Sequence, residues 1–293
     1  MRRQFGHTSS RFFFILLLTV LLLLNGCAAD DREPLPAEPG NTAVSGEETL
    51  SENSTSNEEG NVSTSICTAD LTVLPTLCVG DYFTFGVYEQ DGDINTEPEP
   101  IEWRVLAAED DRVLIISQYC LDAVPYDIQG LMNRWQDTEP TVWESCYLRY
   151  WLNSDFLNTA FNAADQELIL ATQVETKDYP EYGSTGCGIT EDKIFALSFE
   201  EVFDLFADES DRIAKGTEFC LSRRLRFTDE SGIPEVQAGQ LSWYTRNTID
   251  DGKVSKVVHY DGTCYPGGTG NPVGGNYYGV RPTMWINTKV DPS

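Results

Sequence analysis

The chain has 293 residues, with 47 Asp and Glu against 20 Lys and Arg, and a net charge of −27. A field of that sign repels phosphate backbones and anionic headgroups, so it speaks against nucleic acid and against direct binding to a membrane surface. With 41% hydrophobic residues there is enough apolar side chain for one sizeable core.

The first element in chain order is a segment for export. Arg2, Arg3 and Arg11 precede an apolar run from Phe12 to Leu24, interrupted only by Thr19, which is too short to span a bilayer and ends in Leu24-Asn25-Gly26-Cys27. This pattern resembles the lipobox of bacterial lipoproteins, in which the cysteine thiol receives a diacylglycerol and becomes the first mature residue. Residues 1–27 are therefore expected to be a lipoprotein signal, with Cys27 lipidated and the protein held by its lipid on the extracytoplasmic face of the cell membrane. Residues 28–65 hold no aromatic side chain and are dominated by Glu, Asp, Ser, Thr, Asn, Pro and Gly. Such a stretch buries too little apolar surface to offset its ordering entropy, and reads as a disordered acidic linker. At about 5–6 Å times the square root of residue number, it reaches tens of ångströms into the envelope. No second Pro/Ser-rich linker follows, so residues 66–293 are expected to form a single globular domain.

Eight cysteines in an exported chain invite a disulfide reading. With Cys27 acylated an odd number remains, so at least one is free or intermolecular. There is no CxxC pair and no zinc-like spacing. Cys67 and Cys78, which flank a short apolar segment where the domain begins, are the candidate disulfide; the others fit small buried residues.

Within the domain, Ile101, Trp103 and Val105 alternate with Glu102 and Arg104, Glu109-Asp110-Asp111 interrupts, and Arg112 to Ser117 resumes, which predicts a β-hairpin. From Tyr147 to Phe161 the period changes to that of a helix. Leu148, Trp151 and Leu152 share one face, Phe156, Leu157 and Ala160 another, and two short helices broken near Asn153-Ser154 are expected. Ser198 and Glu201 form a capping box ahead of an apolar stripe of Phe199, Val202, Phe203 and Phe206. After Gly216 come aromatic strands and glycine-rich turns: a strand over Ser242 to Arg246, alternation from Val254 to Tyr260, an Asp261-Gly262 turn, a loop from Pro266 to Gly279, and a closing strand from Val280 to Ile286.

Several of these stretches in fixed order resemble a domain of unknown function found in surface proteins of Gram-positive bacteria. They are Pro100 to Leu106, Ile116 to Asp122, Trp143-Glu144, Leu148 to Asn153, Asp155 to Phe161, Trp243 to Arg246, Asp261-Gly262 and Val280 to Ile286, with Asn247-Thr248 where that family usually has Ser-Pro. The resemblance runs from about Gly80 to Asn287. More distantly it extends to C-type-lectin-like domains, including the formylglycine-generating (sulfatase-modifying) group. It implies an α+β, C-type-lectin-like irregular fold of small antiparallel sheets, a few short helices and long loops. The cofactor is left open, calcium being the one that a lectin-like domain admits.

Catalysis has little support in the residues. His7 leaves with the signal, so His259 is the one histidine of the mature chain, and a two-histidine iron site within one chain is excluded. A Ser255–His259 arrangement lacks a nucleophile-elbow context. A copper oxidase of the formylglycine-generating type would have to use Cys220 and Cys264, and no carboxylate pair stands out by spacing. Two similar α/β lobes, as a transporter's binding protein needs, are also absent.

Binding is better supported, because the late region gathers flat aromatic faces and amides of the kind that stack on sugars and answer hydroxyls. The candidate ligand-binding residues are Trp243, Tyr244, Arg246, Asn276, Tyr277 and Tyr278. Core anchoring is the preferred reading for Trp243, as for Trp285. A carboxylate pair is the alternative for Arg246, and burial the alternative for Tyr277 and Tyr278. The expectation is a lipid-anchored, non-enzymatic domain that binds cell-wall glycan or a surface protein. An extracytoplasmic oxidase or hydrolase is the alternative, and nucleic acid is not a partner.

Overall fold

The computed structural model describes residues 74–128, 140–226, 232–265, 267, 270 and 272–289, all within the compact unit Glu59–Ser293. The expected signal, Cys27, the linker and Cys67 lie outside the described residues. Cys78 is exposed, and its thiol is free.

The alternating stretch around Trp103 builds the main sheet. Strands β1 (Tyr82–Tyr88), β2 (Glu99–Ala108) and β3 (Arg112–Ser117) form an antiparallel meander, and the last strand, β10 (Thr283–Asn287), which pairs Trp285 with Leu114, closes the order β1-β2-β3-β10. Ile101, Trp103 and Val105 are fully buried, and the Trp103 indole donates to the Phe85 carbonyl at 2.7 Å. Between Thr84 and Val87 the register of β1 slips at Gly86, whose φ is +67°. A Cβ there would lie 2.4 Å from the Phe161 ring, so glycine is needed both for its backbone and for the ring's approach.

The helical segment against this sheet differs from the expected pair. Helix α1 (Tyr147–Trp151) runs through a π-helical turn, Leu152–Phe156, into α2 (Leu157–Ala160) without leaving helical geometry. Asn153 and Ser154 do not break the chain. The Asn153 amide donates to the Arg149 carbonyl at 3.0 Å and the Ser154 hydroxyl to that of Tyr150 at 2.6 Å, so both side chains bond back one turn while the helix widens. The wider turn keeps Leu148, Leu152 and Phe156 all buried.

Helix α3 (Ala163–Leu168) leads to a ribbon of β4 (Thr172–Thr176) and β5 (Gly188–Asp192). Helix α4 (Phe199–Leu205) starts at the expected capping box, with both reciprocal bonds between Ser198 and Glu201 formed. Its stripe is narrower than expected: Phe203 is 42% exposed beneath the Arg212 guanidinium, and Phe206 lies past the helix end. Strand β6 (Ala214–Lys215), helix α5 (Glu218–Arg223) and helix α6 (Pro234–Gln237) precede β7 (Gln240–Leu241), which pairs with β6.

The ribbon of β8 (Trp243–Ile249) and β9 (Val254–Val258) is buried on both faces, so the alternation expected for its second strand is absent. Most of its polar side-chain groups are paired, the Asn247 Nδ2 being an exception. Thr245 donates to the Lys256 carbonyl, Asn247 accepts from the Phe199 amide, and Thr248 donates to the Thr141 carbonyl. Strand β10 (Thr283–Asn287) completes the main sheet. Small antiparallel sheets, short helices and long connections make this an α+β fold. Among the described residues no helix is long and apolar enough to cross a membrane.

Candidate functional site

The π-helical turn and β5 bring together the polar centre of the domain. Asp192, with a side chain 1% exposed, accepts from the Trp143 indole at 3.0 Å, the Thr190 hydroxyl at 2.6 Å and the Arg149 Nε at 2.5 Å. The Arg149 Nη1 and Nη2 atoms donate to the carbonyls of Glu144 and Glu191 at 2.9 and 3.2 Å. The Asn153 Oδ1 accepts from the amides of Lys193 and Ile194 at 2.9 and 3.1 Å. These bonds tie helix α1 to the end of β5 and give each nitrogen of the guanidinium a partner within the fold.

Directly outside this centre lies an open pocket of about 450 Å³. Arg149, Asp192 and Cys146 form its floor, Glu144, Ser145 and Glu191 its exposed sides, and Tyr150, Asn153 and Ser154 its helical wall. Tyr150 is 62% exposed, on the opposite side of α1 from the buried Leu148 and Trp151. Burial pushes the Cys146 thiol up to about 12, so it stays protonated and is no nucleophile. The pocket therefore offers an aromatic face, carboxylates and hydroxyls. A ring placed off the apolar stripe of a short amphipathic helix was the available signal for Tyr150.

The late aromatic cluster is placed differently from the sequence expectation. Trp243 is fully buried and donates to the Arg212 carbonyl at 3.0 Å. Tyr244 is also buried, its hydroxyl donating to the Gly275 carbonyl at 2.8 Å and its ring meeting that of Tyr278 edge-on at 5.4 Å. Tyr278 is only 6% exposed. Arg246, 2% exposed, forms a two-pronged pair with Glu201, so the carboxylate-pair alternative holds for it. Tyr277 lies partly buried over Gly275, and Asn276 is half-buried with its amide on the Arg223 carbonyl. These six residues do not form an open stacking platform. The glycine-rich loop folds inward through Val273, which is buried and accepts from the Asp127 amide. Trp285 is only partly buried, its ring covered by the Arg112 guanidinium at 4.3 Å.

The residues weighed for catalysis are poorly placed for it. Cys220 and Cys264 are buried, which raises both thiols, Cys264 to about 11. Ser255 is buried in β9, and partial burial lowers the pKa of His259. Among the described residues, Glu89, Asp91 and Glu99 between β1 and β2 bring one oxygen each within 4.8 Å of one another. They could share a hard cation such as calcium, but supply only half of the roughly six to eight oxygens it takes.

Comparison with known proteins adds one finding. No curated protein and no solved structure matches the chain. Residues 110–288, from the turn before β3 to the end of β10, match the family model for a domain of unknown function, DUF6273, which leaves β1 and β2 outside the match although both complete its sheet. The match spans more than half of the sequence, and the chain belongs to the DUF6273 family.

Proposed function

We propose that this protein is a lipid-anchored, extracytoplasmic binding domain that presents the Tyr150 pocket to glycan at the cell envelope. The observation that carries the reading is the pocket itself: an open space large enough for one or two sugar rings, with an exposed aromatic face beside carboxylates and hydroxyls. Anchoring rests on Cys27 and its apolar lead, and the acidic linker supplies the reach. A lectin-like scaffold of the kind carried by surface proteins of Gram-positive bacteria is part of the same proposal, supported by the small antiparallel sheets and long connections.

The test is calorimetric titration of wall-derived glycan fragments into the detergent-solubilised full-length protein and its Tyr150→Ala variant. Binding by the parent, weakened in the variant with an unchanged melting curve, supports the reading. Equal binding by both would remove the pocket from it. Steady release of new reducing ends from the glycan would replace binding with hydrolysis, the alternative activity.

A further inference from the structure

We infer that the Tyr150 pocket selects glycan carrying free amines, that is, de-N-acetylated amino sugar; the inference rests on the glycan-binding reading above and goes on to name the ligand class. The argument comes from which atoms of the pocket remain available. Arg149 is the one cation among the lining residues, and all three of its nitrogens are engaged, with the Asp192 carboxylate and the carbonyls of Glu144 and Glu191. Its charge is answered by the buried Asp192 carboxylate, so Glu144 and Glu191 are the uncompensated charges of the lining. Asn153 is likewise consumed, its Nδ2 donating to the carbonyls of Arg149 and Ile194 and its Oδ1 accepting from the amides of Lys193 and Ile194.

What stays open is a set of acceptors. The Glu144 and Glu191 side chains are exposed on the pocket's sides. The Ser145 and Ser154 hydroxyls direct their hydrogens to the carbonyls of Val142 and Tyr150, leaving oxygen lone pairs for a visitor. A ligand that satisfies this pocket must be rich in donors. A sugar supplies hydroxyls and one apolar ring face for Tyr150, and an ammonium adds both a charge for the two carboxylates and a cation–π contact with the ring. An N-acetyl group instead removes that ammonium and leaves the two carboxylates unanswered, and a phosphate or uronic acid meets like charge. The strongly acidic chain favours the same sign of ligand over distance.

The experiment titrates three probes into the detergent-solubilised full-length protein in mildly acidic buffer: a glucosamine tetramer, the N-acetylglucosamine tetramer and a lysine tetramer. The parent is compared with Glu144→Gln/Glu191→Gln and with Tyr150→Ala. The glucosamine tetramer is expected to bind about tenfold tighter than its acetylated form, with added salt eroding the difference. The Gln/Gln variant should lose that preference, although it removes only two of the chain's many acidic charges; non-specific attraction to an acidic protein would survive it. Acetylated and free tetramers binding equally would overturn the amine selectivity and leave the glycan reading standing. Tight binding of the lysine tetramer alone would make the partner a cationic peptide and overturn the glycan. Binding of none of the three would end both readings.

Discussion

Glu201 and Arg246 join a helix cap to a buried strand through one carboxylate. Its Oε2 accepts from the Ser198 amide at 2.8 Å, closing the capping box, and from the Arg246 Nη1 at 2.5 Å, while Oε1 accepts from Nη2 at 2.7 Å. The cap read from sequence thus serves also as counter-ion to a guanidinium only 2% exposed in the middle of β8. Glu201→Ala would leave that charge buried without its partner and is expected to cost about 3 to 5 kcal/mol. Denaturant unfolding measures it. A loss under about 1 kcal/mol, the worth of the cap alone, would show that Arg246 is reached by water.

Asn153 holds the π-helical turn against the chain leaving β5, at Lys193 and Ile194. Asn153→Ala strips the partner from two backbone amides, those of Lys193 and Ile194, and should destabilise by about 2 to 4 kcal/mol. Asn153→Asp keeps the acceptor but loses the donations and sets a second carboxylate 3.5 Å from Asp192, so it should be at least as harmful as Ala. An Asp variant that melts near the parent would show that the accepted bonds alone hold the turn.

The main sheet was legible because one of its faces is buried: the Ile101, Trp103 and Val105 alternation has a single interpretation. The capping box was legible because it is local chemistry. Tyr244 and Arg246 looked like part of a ligand platform because aromatic and polar side chains share their strand, whereas here Tyr244 is buried and Arg246 is satisfied by Glu201. Long-range pairing of this kind leaves no trace in spacing. The pocket was hidden for the same reason, since β5 is brought to α1 by Arg149 and Asp192, 43 positions apart.

The aromatic rings divide into core and surface, and the division is testable. Tyr278, packed edge-on against Tyr244, should cost about 3 to 5 kcal/mol when changed to Ala. Tyr150→Ala, at a ring 62% exposed, should move the melting curve little. Reversed results would return the candidate platform to Tyr278.

Lys256 gives the domain a pH dependence in the alkaline range. Its residue is 3% exposed and its ammonium lies 3.5 Å from the Phe199 ring centroid; burial lowers its pKa to about 8, offset in part by the Cys264 thiol. The folded pKa lies below the unfolded one, so between the two the unfolded chain holds more protons and stability rises with pH. Below about 8 the buried charge exerts its full cost. The melting-point gap between the parent and Lys256→Met should therefore shift in the parent's favour from about pH 7 to about pH 10. A gap that stays flat would mean that the ammonium is solvated in the folded protein.

Anchoring is the prediction with the simplest readout. If the diacylglycerol on Cys27 is what holds the protein, Cys27→Ser should remove the attachment site and move the protein out of the membrane fraction, while the domain retains its melting point. The apolar run from Phe12 to Leu24 makes the outcome informative, because an uncleaved segment could itself stay in the bilayer. The fractionation is therefore read together with the mass of the protein's N-terminus. A variant that stays with the membrane and still carries residues 1–26 would show an anchor made of protein. A parent that is cut ahead of Cys27 and carries the mass of a diacylglycerol there shows one made of lipid.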